Sequence, residues 1–265
     1  MLHYLLKKNW HYITQKKFQN KKNKINITTH YKMKKYILDN LNNVGICVVE
    51  DYFTPEFCDQ AIKDVEDGLI KYKSKIQSSS HEGTSGDFRL FKMENHYNTA
   101  KEFANDPLLL EVCSSYFGQP INSHFVLGGK VKHNSNQITN SGGGWHRDNR
   151  AKQIKTLVYL SDVEEENGPY LFLPSSNQYD LSTRDGIGKA TRYEDKDVDL
   201  FCKENDLSPF KVTGKKGTVI FSDTSFIHRG ANIQGGTRYT YTNYYFENHP
   251  QRIQMSKDKW GKMYI

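Results

Sequence analysis

Long apolar runs are missing from this 265-residue chain. No stretch approaches the roughly 18 uncharged apolar residues that a membrane-spanning helix needs, and the N-terminus lacks the apolar core of a secretory signal. Cysteine is scarce as well. The four thiols, Cys47, Cys58, Cys113 and Cys202, form no C-x-x-C pair, which argues against a zinc knuckle or disulfide frame and for reduced thiols in a cytoplasmic protein. Acidic residues and arginine are both absent before Asp39, whereas ten lysines fall between Lys7 and Lys35. A mitochondrial presequence is rich in arginine, so this Lys- and Asn-rich segment does not fit one.

The net charge of +7 is unevenly placed. Beyond residue 38 there are 27 basic residues and 30 acidic ones, so the body is close to −3. The basicity belongs to a terminal segment rather than to a nucleic-acid-binding body, and no specific nucleic-acid partner is expected. Residues 1–32 are expected to form a basic, flexible extension, with Met33-Lys34-Lys35 reading like a more ordinary N-terminus, and residues 33–265 a single domain. Tyr 17, Phe 14 and Trp 3 supply large amphipathic side chains for a core or a pocket wall.

Local signals set the order of elements. Gly45 opens a β-branched run, Ile46-Cys47-Val48-Val49, that reads as a buried strand. Thr54-Pro55 is an N-cap followed by proline at the first helical position, and Phe57, Ala61, Ile62, Val65 and Leu69 keep helical spacing behind it. A second helix is expected from Asp106 to Gly118, and Ser78–Asn98 reads as a long polar loop that can close over a site as a lid. From Asn122 onwards the pattern changes to short strands: 125–131, 154–160, 170–173, 217–221 and 238–246. Helices first and strands afterwards predict an α+β chain with a mainly β core, an antiparallel jelly roll braced by helices.

The chemistry begins at Gly142-Gly143-Gly144-Trp145-His146-Arg147-Asp148. In an extended chain, residues i and i+2 share a face, so His146 and Asp148 project together and Arg147 points away. Alone, H-x-D is a weak signal. Further on, Gly217–Gly230 carries a strand into a loop that presents His228, and Arg238 opens another strand ten residues later. Two histidines and one carboxylate form the facial triad that leaves three positions of an octahedral iron open. Arg238 offers a planar two-pronged donor for the far carboxylate of a dicarboxylic cosubstrate, and Thr240 adds a hydroxyl on the same strand face.

With these residues in place, the chain resembles the phytanoyl-CoA dioxygenase family of Fe(II)- and 2-oxoglutarate-dependent oxygenases. The likeness covers about residues 36–248 and includes Leu157–Val163 and Asn167-Gly168-Pro169-Tyr170. It implies a cupin-like double-stranded β-helix, with Fe(II) on His146, Asp148 and His228, 2-oxoglutarate paired to Arg238, and O2 as co-reactant. A small-molecule substrate would be hydroxylated with release of succinate and CO2. The resemblance also implies a cosubstrate contact on the strand before H-x-D, where Lys130 and Lys132 are the candidates; Thr156 is a further one. Trp145 is expected in the core or at the rim. Since Asp148 is present, halogenation, which needs that position open, is disfavoured. A non-catalytic β-helix binding protein is the alternative reading, against which no ligand is missing.

Overall fold

The computed structural model describes residues 27–78, 86–134, 144–178, 192–247 and 250–265. Its spine is the longest antiparallel pair. Strand β4 (Ile121–Lys132) lies against β12 (Thr237–Glu247) in register from Ile121↔Glu247 to Lys132↔Thr237, with one irregularity at Tyr244/Tyr245. On its other side β12 pairs with β6 (Ile154–Tyr159). Strands β1 (Ile46–Val49), β2 (Gln77–Ser78), β3 (Asp87–Phe91) and β10 (Val219–Asp223) complete a seven-stranded sheet in the order β1-β10-β6-β12-β4-β3-β2. A five-stranded sheet faces it: β5 (Trp145–His146), β7 (Tyr170–Phe172), β8 (Arg192–Tyr193), β9 (Phe210–Val212) and β11 (His228–Gly230), ordered β8-β5-β11-β7-β9. All the pairings are antiparallel, giving the double-stranded β-helix expected from the sequence.

Helices cover the outer face of the larger sheet. Helix α1 (Ile27–Val44) places Met33, Ile37 and Leu41 on one stripe; α2 (Pro55–Lys71), α3 (Asn98–Ala104) and α4 (Pro107–Phe117) add Val65, Phe103 and Leu109. These side chains pack on Val126, Val158, Phe221 and Tyr241, the outward-facing residues of the central strands. Both expected caps are present: Thr54 Oγ1 accepts from Phe57 N at 3.3 Å, and Asp106 Oδ1 accepts from Leu109 N at 2.9 Å. Helix α5 (Asp195–Glu204) covers the smaller sheet through Val198 and Phe201, against Trp145 and Ile227. Helix α6 (Pro250–Trp260) brings Trp260 beside Phe125 and Tyr244 at the open end.

Three expectations change. Helix α1 starts at Ile27, so the boundary placed after residue 32 falls inside it, and Met33, read as the start of an ordinary terminus, is 2% exposed in the core. The preceding residues 1–26 lie outside the described part. Within the segment read as a loop, Asp87–Phe91 is strand β3, paired to β4 through five residues; residues 79–85 lie outside the described part. Helices α5 and α6 were not anticipated.

The turn into β10 is tight. Gly217 has φ +91°, its N–H donates to Tyr159 O at 2.8 Å, and its carbonyl accepts from Tyr52 N and Phe53 N at 3.0 and 3.1 Å. A Cβ here would stand 2.1 Å from Phe53 O, a backbone atom with no freedom to retreat. Gly217→Ala is therefore expected to lower unfolding stability by about 2–4 kcal/mol. The urea midpoint reads this, and a loss below about 0.5 kcal/mol would contradict it.

Candidate metal centre and cosubstrate site

Register sets the geometry of the site. His228 on β11 stands directly opposite His146 on β5, and Arg192 on β8 stands opposite His146 on its other side. Asp148 leaves β5 at once and is hooked by its N–H to Thr224 O at 2.9 Å. The Thr224 turn is itself held by Asp223, whose carboxylate accepts from Gln153 N (3.2 Å), Ser225 N (2.9 Å) and Tyr116 Oη (2.7 Å). One buried acid thus fixes both the aspartate and the segment entering His228. Arg147 points away from Asp148, as strand alternation requires, and donates to Ser176 O at 2.6 Å. Trp145 is buried under Arg229, 5.1 Å from its ring centroid, in the cluster below the smaller sheet.

The two imidazoles are oriented alike. Each Nδ1 meets the carbonyl two residues earlier, His146 to Gly144 O and His228 to Phe226 O, both at 2.9 Å. That contact places the proton on Nδ1 and leaves Nε2 with a free lone pair. The two Nε2 atoms lie 3.7 and 3.8 Å from Asp148 oxygens, and the three ligand atoms fall within 4.8 Å of one another. Burial, and then the neighbouring His228, lowers the pKa of His146 to about 3; burial lowers that of His228 too, with Asp148 opposing. Both rings are therefore neutral donors. Asp148 is exposed along its backbone while its side chain is turned inward, 20% exposed. Burial would raise its pKa, but the Lys155 ammonium prevails and holds it below the usual carboxylate range.

The triad opens into a cavity of about 380 Å³ between the two sheets. Arg238 enters this cavity from β12. It is 5% exposed, its Nε has no hydrogen-bond partner, and no carboxylate pairs with it among the described residues. Burial lowers the pKa of its guanidinium, with Tyr159 and Asp87 opposing. A buried guanidinium without an anion is costly, so the cavity is built to receive one. Thr240 lines the same wall two residues on.

The profile of the phytanoyl-CoA dioxygenase (PhyH) family matches residues 41–238. The chain belongs to this family. At the sequence level no curated protein matches it. Among solved structures, it is similar to the non-heme alpha-ketoglutarate-dependent epimerase SnoN from nogalamycin biosynthesis (13% identity, 82% of this chain and 84% of that one, TM-score 0.65). HygX from Streptomyces hygroscopicus, solved with nickel and 2-oxoglutarate, is 15% identical over 80% of this chain and 86% of its own, with TM-score 0.55. EctD from S. alaskensis is 17% identical over 78% and 75%, with TM-score 0.60. At these identities the likeness establishes the shared double-stranded β-helix.

Iron and 2-oxoglutarate are the cofactors of this PhyH-family chain, and its residues fit both. Two neutral imidazole nitrogens and a carboxylate are the donor set of ferrous iron, and Arg238 is the unpaired cation that a distal carboxylate requires. The other cosubstrate candidates lie elsewhere. Lys130 and Lys132 are on the outward face of β4: Lys130 pairs with Glu66 of α2 at 2.6 Å, and Lys132 is exposed. Thr156 also faces outward and meets Tyr245 Oη at 2.9 Å. Asp87, Arg89, Lys155, Arg192 and Lys259 also line the cavity, and none of them was among the predicted site residues. Asp87 and Arg89 neutralise each other through paired contacts down to 2.5 Å. The i, i+2 spacing of an acid and an arginine was a usable signal for that pair.

Arg238→Met should weaken 2-oxoglutarate binding to the Ni(II)-loaded chain at least thirtyfold, about 2 kcal/mol or more, and leave Ni(II) affinity within threefold. Calorimetric titration separates the two, and unchanged 2-oxoglutarate affinity would reject the role.

Proposed function

We propose that the chain hydroxylates an unactivated C–H bond of a small organic molecule, consuming 2-oxoglutarate and O2 and releasing succinate and CO2. The observation that carries this reading is the complete His146-Asp148-His228 set beside an unpaired, buried Arg238 in one cavity. Ferrous iron held there, with 2-oxoglutarate bound, supplies O2 activation and an oxidant strong enough to remove hydrogen from carbon. The protein side of the reaction is positioning. His146 and His228 offer Nε2 because the carbonyls of Gly144 and Phe226 hold Nδ1–H. Asp148 supplies the third ligand and one negative charge, and Arg238 with Thr240 grips the distal carboxylate of 2-oxoglutarate. Tyr170, whose ring centroid is 5.5 Å from that of His228, and Phe172, opposite His228 in register, exclude water from the back of the site.

Two outcomes besides hydroxylation occur on this fold, since SnoN is an alpha-ketoglutarate-dependent epimerase and SnoK, also similar in fold, an alpha-ketoglutarate-dependent carbocyclase. Hydroxylation is the default because the carbon that loses its hydrogen need only gain a hydroxyl whose oxygen comes from O2, whereas the other two need a substrate shaped for them.

Purified chain with Fe(II), 2-oxoglutarate and ascorbate is expected to form succinate slowly without added substrate and faster with it. EDTA should abolish the product, and His146→Ala, Asp148→Ala or His228→Ala should lower it at least a hundredfold. Wild-type succinate formation in all three variants would reject the proposal, and oxygen-18 from O2 appearing in the converted substrate, not in succinate alone, distinguishes hydroxylation from epimerisation.

A further inference from the structure

The inner face of the larger sheet is a stack of cross-strand rows that sorts polar groups to the two sides of the triad. Arg238 stands in register with Val131 and Asp87, Thr240 with Tyr159 and Gly129, Thr242 with Leu157 and Leu127, and Tyr244 with Lys155. Six residues of strand separate Arg238 from the Lys155 row, about 20 Å of backbone. Both side chains point into the same cavity. Arg238 would hold 2-oxoglutarate at its end of the cavity, which would leave the Lys155 row free for a second ligand.

Lys155 is an expensive residue to keep there. It sits on a central strand with its side chain 10% exposed, and its one carboxylate partner among the described residues is Asp148. Its Nζ is 3.9 Å from the centroid of the Tyr244 ring. A divalent ion on the triad draws on that same carboxylate. With the ion and 2-oxoglutarate in place, the charges of metal, Asp148, Arg238 and cosubstrate cancel, Asp87 cancels Arg89, and Arg192 and Lys259 are exposed to solvent. The Lys155 ammonium then remains as a buried cation without its counter-charge. Next to it the wall turns apolar, through Leu127, Tyr244 and Trp260.

We propose that Lys155 receives the anionic group of the primary substrate, an organic carboxylate or phosphate whose apolar body lies on Tyr244, Leu127 and Trp260. This rests on the 2-oxoglutarate reading above, and it narrows the substrate class to organic acids. Arg192, opposite His146 in register, also lines the cavity and adds positive potential to it.

The test uses the full chain loaded with Ni(II) and 2-oxoglutarate and titrated with phenylacetate, phenyl phosphate and the neutral 2-phenylacetamide, with ligand-observed NMR as the readout. At least one charged probe should bind tenfold or more tightly than the amide, and the stronger of the two identifies carboxylate or phosphate as the preferred group. Lys155→Met should abolish the preference without loss of Ni(II) or 2-oxoglutarate binding, since it frees Asp148 from a competing ammonium, and the retained binding also shows the variant is folded. Lys155→Arg should retain most of the preference. Equal binding of acid and amide, no binding of either charged probe, or a preference that survives in Lys155→Met overturns the proposal. So does loss of Ni(II) or 2-oxoglutarate binding in Lys155→Met, which would assign the lysine to the cofactor site. Failure of the wild-type chain to take up 2-oxoglutarate with Ni(II) is a different result, overturning the functional reading itself.

Discussion

The period-two alternation of β12 is the constraint on which everything else rests. Arg238, Thr240, Thr242 and Tyr244 face the cavity, while Tyr241 and Tyr245 face the helical layer, where both are fully buried. β12 is paired on both sides, to β4 and β6, so its register also decides which residues of those strands turn inward. A slip of one residue would drive Arg238 into the helix-covered core and place Tyr239 in the cavity. The apolar packing of Tyr241 against Phe103 and the hydrogen bond between the Thr156 and Tyr245 hydroxyls therefore protect the polar site on the other face of the sheet.

Within that frame the cavity is an exercise in charge balance at low dielectric. Of its buried inward-facing charges, Asp87 and Arg89 satisfy each other, Asp148 is shared between Lys155 and the two histidines, and Arg238 has no carboxylate partner among the described residues. Iron answers the carboxylate and imidazoles of the triad and a dicarboxylate answers Arg238, which leaves Lys155 as the buried cation still to be matched. The neutral state of His146 and His228 belongs to the same logic: burial discourages their protonation, and backbone carbonyls at Nδ1 leave Nε2 ready for a metal.

The ligands were legible in the sequence because metal coordination forces a pattern, H-x-D in an extended segment followed by a distant His and Arg. The cosubstrate lysines were not. Lys130 and Lys132 were candidates through the family resemblance alone, since strand alternation puts both on one face without saying which; that face is the outer one, where Glu66 of α2 pairs with Lys130. In Ile154–Tyr159 both faces are largely buried, so alternation gave no polarity cue to choose between Lys155 and Thr156. Strand β3 was hidden for a related reason, since its inward residues Asp87 and Arg89 are charged and read as loop. In α1, the apolar stripe Met33-Ile37-Leu41 was masked by the surrounding lysines. Among the described residues no helix is long and apolar enough to cross a membrane, in line with the scarcity of apolar runs noted at the outset.

The central claim is that one cavity binds a divalent metal on His146, Asp148 and His228 and 2-oxoglutarate between that metal and Arg238. Anaerobic titration of the chain with Fe(II) and 2-oxoglutarate tests it most directly, because a 2-oxo acid chelated to ferrous iron gives a visible charge-transfer absorption that neither component gives alone. The account predicts a band that saturates at one iron and one 2-oxoglutarate per chain. Its absence at saturating concentrations of both, or its persistence unchanged in Asp148→Ala, would contradict the account.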